Sequence, residues 1–277
     1  MSSSRIPHLL EPYMGLPPEA ALVVLTGVLG ASTNWLILRC AYSLLLSRQS
    51  AAEQVEEADA ARGGTDVAVV LVSFMRDRAF WREGASKMGF DLDTLDRAGR
   101  FTFVDGLTGL FAAPSCSDAR KEAPLRSPAL VDVRRAIEVA MAKVNATKTV
   151  LIVDQVDALL AAAGPSAGVT SLSLQNMLLS LREHVHACIL TLAADEPLLH
   201  TQNTSLEREH AALVLSQAHA AQTVLALRRL DTGAAPDVSG VVRITARGDG
   251  AAADGCDVEY LYYVAADGGV RVFERGT

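Results

Sequence analysis

Apolar residues along this chain fall into short blocks separated by polar and glycine-containing turns. Residues 22–26 (LVVLT) form the first block, and residues 35–46 follow at helical length. Residues 66–74 (DVAVVLVSF) are nearly continuous Val and Leu, the pattern of a strand covered on both faces. Residues 79–88 read as a helix that Gly89 is placed to end. Further strands are expected at 101–104, 149–153, 188–192 and 223–227. Helices are expected from Pro128 to about residue 144, at 172–185 and at 207–219. Ser127 would be the N-cap of the first of these and Pro128 its first residue. The helix at 172–185 carries Leu172, Leu178, Leu179 and Leu181 as apolar positions.

The end of the chain changes character. Residues 238–245, 258–264 and 269–273 are β-rich, with Asp267-Gly268-Gly269 as a hairpin turn. Alternating strands and helices followed by a meander give an α/β fold. Its central sheet is mostly parallel with right-handed crossovers, and a C-terminal antiparallel β-meander extends that sheet. The pattern divides the chain into an N-terminal extension, 1–19, and a single domain, 20–277. Exposed loops are expected at about 47–65, 112–127 and 248–255.

Composition narrows the class. Of the 277 residues, 50% are hydrophobic and 21% charged, which excludes a disordered chain. The net charge of −7 excludes a stand-alone basic nucleic-acid binder. Cys40, Cys116, Cys188 and Cys256 are far apart, so neither a disulfide scaffold nor a zinc knuckle fits. Cys40 and Cys188 lie in apolar runs and are expected as small buried hydrophobes. Residues 20–46 are apolar enough to suggest a membrane span, with Arg39 as the only charge. Gly27, Gly30, Ser32, Thr33 and Asn34 place turn chemistry in the middle of it, so strand, turn and helix fit better.

A strand, a glycine turn and a helix are also the setting of a phosphate-binding loop, G-x-x-x-x-G-K-[ST]. Here the register reads Gly27-Val-Leu-Gly30-Ala-Ser32-Thr33-Asn34. Gly27 matches, but Ser32 replaces the second Gly, Thr33 the Lys and Asn34 the Mg²⁺-binding hydroxyl. The loop thus lacks its counter-charge for a triphosphate. Asp154 ends an apolar strand as a Walker B carboxylate does, and Asp157 follows. Without the Lys and hydroxyl, both read better as helix-capping carboxylates. His184 and His186 precede Cys188, in a pattern more usual for solvent-facing side chains than for a metal. No G-x-S-x-G or G-x-G-x-x-G is present.

Several segments resemble the Elongator complex protein 6 family. They are Phe80-Trp81-Arg82-Glu83-Gly84, residues 100–111 (RFTFVDGLTGLF), residues 151–160 (LIVDQVDALL), residues 258–263 (VEYLYY) and Val272-Phe273-Glu274-Arg275. The resemblance implies a RecA-like fold with a degenerate P-loop and no cofactor. It implies a place, with Elongator complex proteins 4 and 5, in a hetero-hexameric ring that supports wobble-uridine tRNA modification. It also implies a cytoplasmic protein, with the nucleus as a second compartment. RecA-like enzymes place a catalytic Glu two residues past an Asp ending the third strand; here that Asp is Asp105 and the position holds Leu107. A pseudo-ATPase with no catalytic residues is therefore expected, against the alternative of an active NTPase with an unusual phosphate loop. The loops at 161–170 and 194–207, which would face a ring's pore, carry Asp195, Glu196 and Glu207 and little positive charge. Binding of tRNA is expected to rest on partner subunits.

Overall fold

Uncharged runs of Val, Leu and Ile become strands because both of their faces are covered. A computed structural model describes residues 5–46, 67–111, 125–230, 235–247 and 257–274. The strands are β1 (Ala21–Gly27), β2 (Val67–Ser73), β3 (Phe101–Asp105), β4 (Lys148–Asp154), β5 (Ala187–Ala193), β6 (Thr223–Arg228), β7 (Gly240–Ala246), β8 (Val258–Val264) and β9 (Val270–Glu274). They form one sheet in the order β3-β2-β4-β5-β1-β6-β7-β8-β9. All pairings from β3 to β6 are parallel, and β7, β8 and β9 continue the sheet antiparallel. The expected α/β architecture with a terminal meander is what forms.

Alternate residues of each strand enter opposite cores. Val23, Leu25, Val69 and Leu71 pack with Trp35, Ile37 and Trp81 on one face. Leu22, Val24, Val70 and Val72 pack with Val133, Ile137, Leu178 and Leu213 on the other. Each such side chain contributes roughly 1.5–3 kcal/mol on burial. The first face is covered by α2 (Asn34–Leu46) and α3 (Arg78–Lys87). The second is covered by α6 (Leu130–Met141), α8 (Ser171–Arg182) and α9 (Ser205–Ala220). Short helices α1 (Glu11–Met14), α4 (Leu92–Arg97), α5 (Thr108–Phe111) and α7 (Ala158–Ala162) fill connections. Leu10 and Met14, ahead of β1, are buried in the first core.

Residues 20–46 divide into β1 and α2, and among the described residues no helix is long and apolar enough to cross a membrane. Helix α6 begins at Leu130, later than the expected Pro128. The Ser127 hydroxyl accepts the Ala129 N–H at 3.2 Å, which holds 127–129 as a turn outside the helix. Ser127 caps nothing further along; Ala129 is the N-cap, without a side-chain bond. The loops expected at 47–65 and 248–255, and residues 112–124 of the third, lie outside the described residues, as do Cys116, Cys256 and Arg275.

Candidate functional site

In a parallel sheet the chemistry gathers where strands end and loops begin, at the C-terminal edge of β1, β4, β5 and β2. The β1–α2 connection occupies the position of a phosphate loop. It folds back on itself. The Ala31 N–H donates to the Val28 carbonyl at 2.8 Å, and Gly30 takes φ +88°, which glycine accepts without strain. A Cβ on Gly27 would sit 2.8 Å from the Ala31 carbonyl oxygen, so only Gly permits this closure. Thr33 is 2% exposed. Its methyl packs against Gly27, and its carbonyl accepts the N–H groups of Leu36 and Ile37. Ser32 directs its hydroxyl to the Asn34 N–H at 3.3 Å, at the start of α2. Leu29 is exposed at the tip, and its N–H donates to Asp195 Oδ1 at 2.7 Å, from the loop after β5. A carboxylate of the chain itself thus takes a loop N–H of the kind that would otherwise meet a phosphate oxygen.

Asp154 ends β4, the strand beyond β5, and is fully buried. Ser73 Oγ, at the end of β2, donates to its Oδ2 at 2.7 Å, and Thr191 Oγ1, from β5, donates to its Oδ1 at 2.8 Å. Thr191 in turn accepts the N–H of Gln155, which has φ +55°. Burial pushes the Asp154 carboxyl above the usual range, against the hydrogen bonds of Ser73 and Thr191 and the charge of Arg76. Both carboxylate oxygens tie three strands together and are closed to solvent. The expected role of Asp154 as a helix cap is not realised, because its acceptors face neighbouring strands and not helical N–H groups.

A family model described as Elongation complex protein 6 matches residues 64–265, more than half of the chain. The chain belongs to the Elongation complex protein 6 family. A search of curated proteins finds no match. Among solved structures, a KaiC-like protein from the hyperthermophilic archaeon Pyrococcus horikoshii OT3 is similar at TM-score 0.60 and 16% identity, over 98% of this chain and 97% of that one. That likeness bears on the fold alone, and it agrees with a RecA-like sheet. This member of the Elongation complex protein 6 family is therefore an Elongator subunit of RecA-like type.

The remaining positions singled out in this family member are structural in their contacts. Asp105 accepts from the Leu107 N–H at 2.9 Å, the Thr108 N–H at 2.8 Å and Thr108 Oγ1 at 2.6 Å, and so caps α5. Leu107, where the sequence comparison with RecA-like enzymes expects a catalytic Glu, is half-buried in that cap. His184 Nδ1 meets the Ser180 carbonyl and His186 Nε2 the Pro17 carbonyl, each at 3.0 Å. Among the described residues no group of three His, Cys, Asp or Glu could hold a metal ion. Cys40 and Cys188 are buried free thiols, and burial pushes both up to about 12.

Asp157 makes no capping bond to α7 either. Its Oδ2 accepts the Ala193 N–H at 3.3 Å and lies 3.7 Å from His210 Nδ1; His210 Nε2 meets the Ala193 carbonyl at 2.9 Å. Among the described residues its Oδ1 has no hydrogen-bond partner. Burial pushes Asp157 up to about 6, against the charge of His210. His210 comes from α9, and nothing local in the sequence marks it. The same is true of the Asp195–Leu29 bond, which joins residues far apart in the chain.

Proposed function

We propose that this chain is a non-catalytic structural member of a hetero-hexameric RecA-like ring formed with Elongator complex proteins 4 and 5. In that reading the ring supports wobble-uridine tRNA modification by binding and releasing tRNA, and any ATP hydrolysis belongs to the assembly. The observation that carries the reading is the closed β1–α2 loop, with Thr33 buried at the Lys position and Asp195 bonded to the loop tip. A triphosphate would meet no charge at the Lys position and the Asp195 carboxylate at the tip; the Arg229 side chain lies against Gly30 but outside the motif's Lys position. Asp154, which would hold the metal, is enclosed by Ser73 and Thr191.

Two further features favour assembly. Val131 and Val139 on α6, Leu172 and Leu179 on α8, and Leu206 and Leu215 on α9 are exposed on one helical layer. Aliphatic faces of this kind suit a subunit interface. Strand β9 also ends the sheet as an edge that a neighbour can cover. Contact with tRNA falls to basic residues of the partners, since the connection after β5 presents Asp195 and Glu196. The working location is the cytoplasm, with the nucleus as a second compartment.

Co-expression with the two partner subunits, followed by native mass measurement, tests the ring. A hexamer with two copies of each chain is expected; a chain that stays monomeric beside its partners overturns the reading. Equilibrium binding of ATP with Mg²⁺ to the isolated chain tests the pseudo-ATPase part. Tight binding with turnover would refute it. Charge reversal in the partners' loops should abolish tRNA binding by the ring, while Glu196→Lys should not.

A further inference from the structure

A cleft of ≈ 270 Å³ opens between α2, the end of α3 and the β8–β9 turn. It is lined by Arg5, Arg39, Lys87, Gly89, Asp267 and Gly268, and it shares no residue with the β1–α2 loop. Arg39 forms its floor and is 4% exposed. Arg39 Nη1 donates to the Trp35 carbonyl at 3.2 Å and Nη2 to the Gly268 carbonyl at 3.0 Å. A guanidinium carries five N–H groups, so among the described residues these bonds leave most of its donors open. Its Nε has no partner among the described residues. No described carboxylate pairs with it, and its guanidinium lies 5.7 Å from the Trp35 ring. Burial lowers Arg39 to about 10, still charged at neutral pH. A buried cation facing only neutral partners is costly, and it is stabilised by any anion that reaches it.

The rim adds charge of the same sign. Arg5 donates from Nη1 to Tyr42 Oη at 3.1 Å and lies over that ring at 5.3 Å. Tyr42 is one turn beyond Arg39 on α2, so Arg5 is held above the same helical face. Gly89, at φ +79°, lets it lie flat: a Cβ there would be 2.8 Å from Arg5 Nη2. Lys87 closes the third side and is ion-paired to Glu83 at 2.8 Å. Asp267 is the carboxylate in the lining, and its Oδ1 accepts the Gly269 N–H at 2.8 Å within the turn. Three cations against Glu83 and Asp267 leave a net positive cleft whose deepest charge is unanswered.

We propose that this cleft binds a small oxyanion of the phosphate class, with Arg39 as a fixed floor and Arg5 and Lys87 as the rim. Donors on three sides match a tetrahedral oxyanion better than a planar carboxylate. Guanidinium groups held in place by packing are the side chains best suited to such an ion. The volume lies just under the ~300–1,000 Å³ range of drug-sized ligand pockets, which suits free phosphate or a small phosphate monoester.

Calorimetric titration of the full chain with inorganic phosphate, and separately with glycerol 2-phosphate, tests the site at constant ionic strength made up with chloride. Saturable binding of either ion supports it; binding of phosphate alone identifies the free ion, and binding of both identifies the ester class. Arg5→Ala and Lys87→Ala are each expected to weaken binding about tenfold, as loss of one charge-assisted bond predicts. Arg39→Gln should abolish it. Thermal melts check that this variant folds, and the two rim variants carry the test if it does not. No heat beyond the chloride control, or rim variants that bind like the parent, would overturn the proposal. A chain that assembles into the ring and binds no phosphate fails this inference alone.

Discussion

Asp157 offers a direct measure of what a buried carboxylate costs this fold. It is 7% exposed, with one oxygen unpartnered among the described residues, His210 3.7 Å away and Asp154 adding a repulsive charge. Its folded value of about 6 stands above the ordinary 3.8. At ~1.4 kcal/mol per pH unit this corresponds to about 3 kcal/mol. The folded state holds the proton more tightly than the unfolded state. The stabilisation is therefore complete below about 3.8 and is lost as pH rises through about 6. The variant Asp157→Asn keeps the shape and removes the charge. Its amide can still accept the Ala193 N–H, but its NH₂ lies where Oδ1 has no partner, a cost of about 1 kcal/mol. Near pH 8 the variant should be more stable by about 2 kcal/mol, and near pH 4 equal or slightly weaker. Urea unfolding of parent and variant across that range, with midpoints compared at unchanged slope, reads the difference. A difference that does not vary with pH, or a variant that is weaker near pH 8, would refute the reasoning.

Two further outcomes follow from the closed loop. Restoring the motif by Thr33→Lys with Asn34→Thr should not create nucleotide binding. Thr33 is buried against Gly27, so a Lys there should cost about 3 kcal/mol or more, visible as a lowered melting temperature. Recovery of ATP binding by that double variant would show the loop to be open. Asp195→Ala should free the Leu29 N–H, costing about 1 kcal/mol, and should accelerate hydrogen exchange at Leu29 and its neighbours while leaving β1 protected. Unchanged exchange at Leu29 would mean the bond is not formed in solution.

Long apolar blocks were the readable part of the sequence. Strands such as 66–74 are recognisable because continuous Val and Leu can be satisfied only between two helical layers. Helices α4, α5 and α7 are too short for a 3.6-residue period to appear, and their ends depend on caps such as Asp105 over Thr108. Helix α6 starts later than the sequence leads one to expect, because Ser127-Pro128 carries the same signature whether it opens a helix or a turn before one. At the candidate site, the missing Lys and hydroxyl are plain in Thr33 and Asn34. What replaces them is not. Asp195 meets Leu29, Thr191 meets Asp154 and His210 meets Asp157 through sheet order and helix placement, and no spacing along the chain encodes these pairs. Leu172 and Leu179 count equally with Leu178 and Leu181 in an apolar tally, yet the first two are exposed and the last two buried.

The Asp195–Leu29 bond joins the loops that follow β1 and β5, strands that are neighbours in the sheet. In a nucleotide-driven motor these two connections are free to part and rejoin as the ligand comes and goes. Here they are latched by the chain's own carboxylate. Under the proposed non-catalytic role, this edge of the sheet keeps one shape whatever the nucleotide concentration. A neighbour docking along it would meet a constant surface, a fixed reference against which any moving subunit could turn.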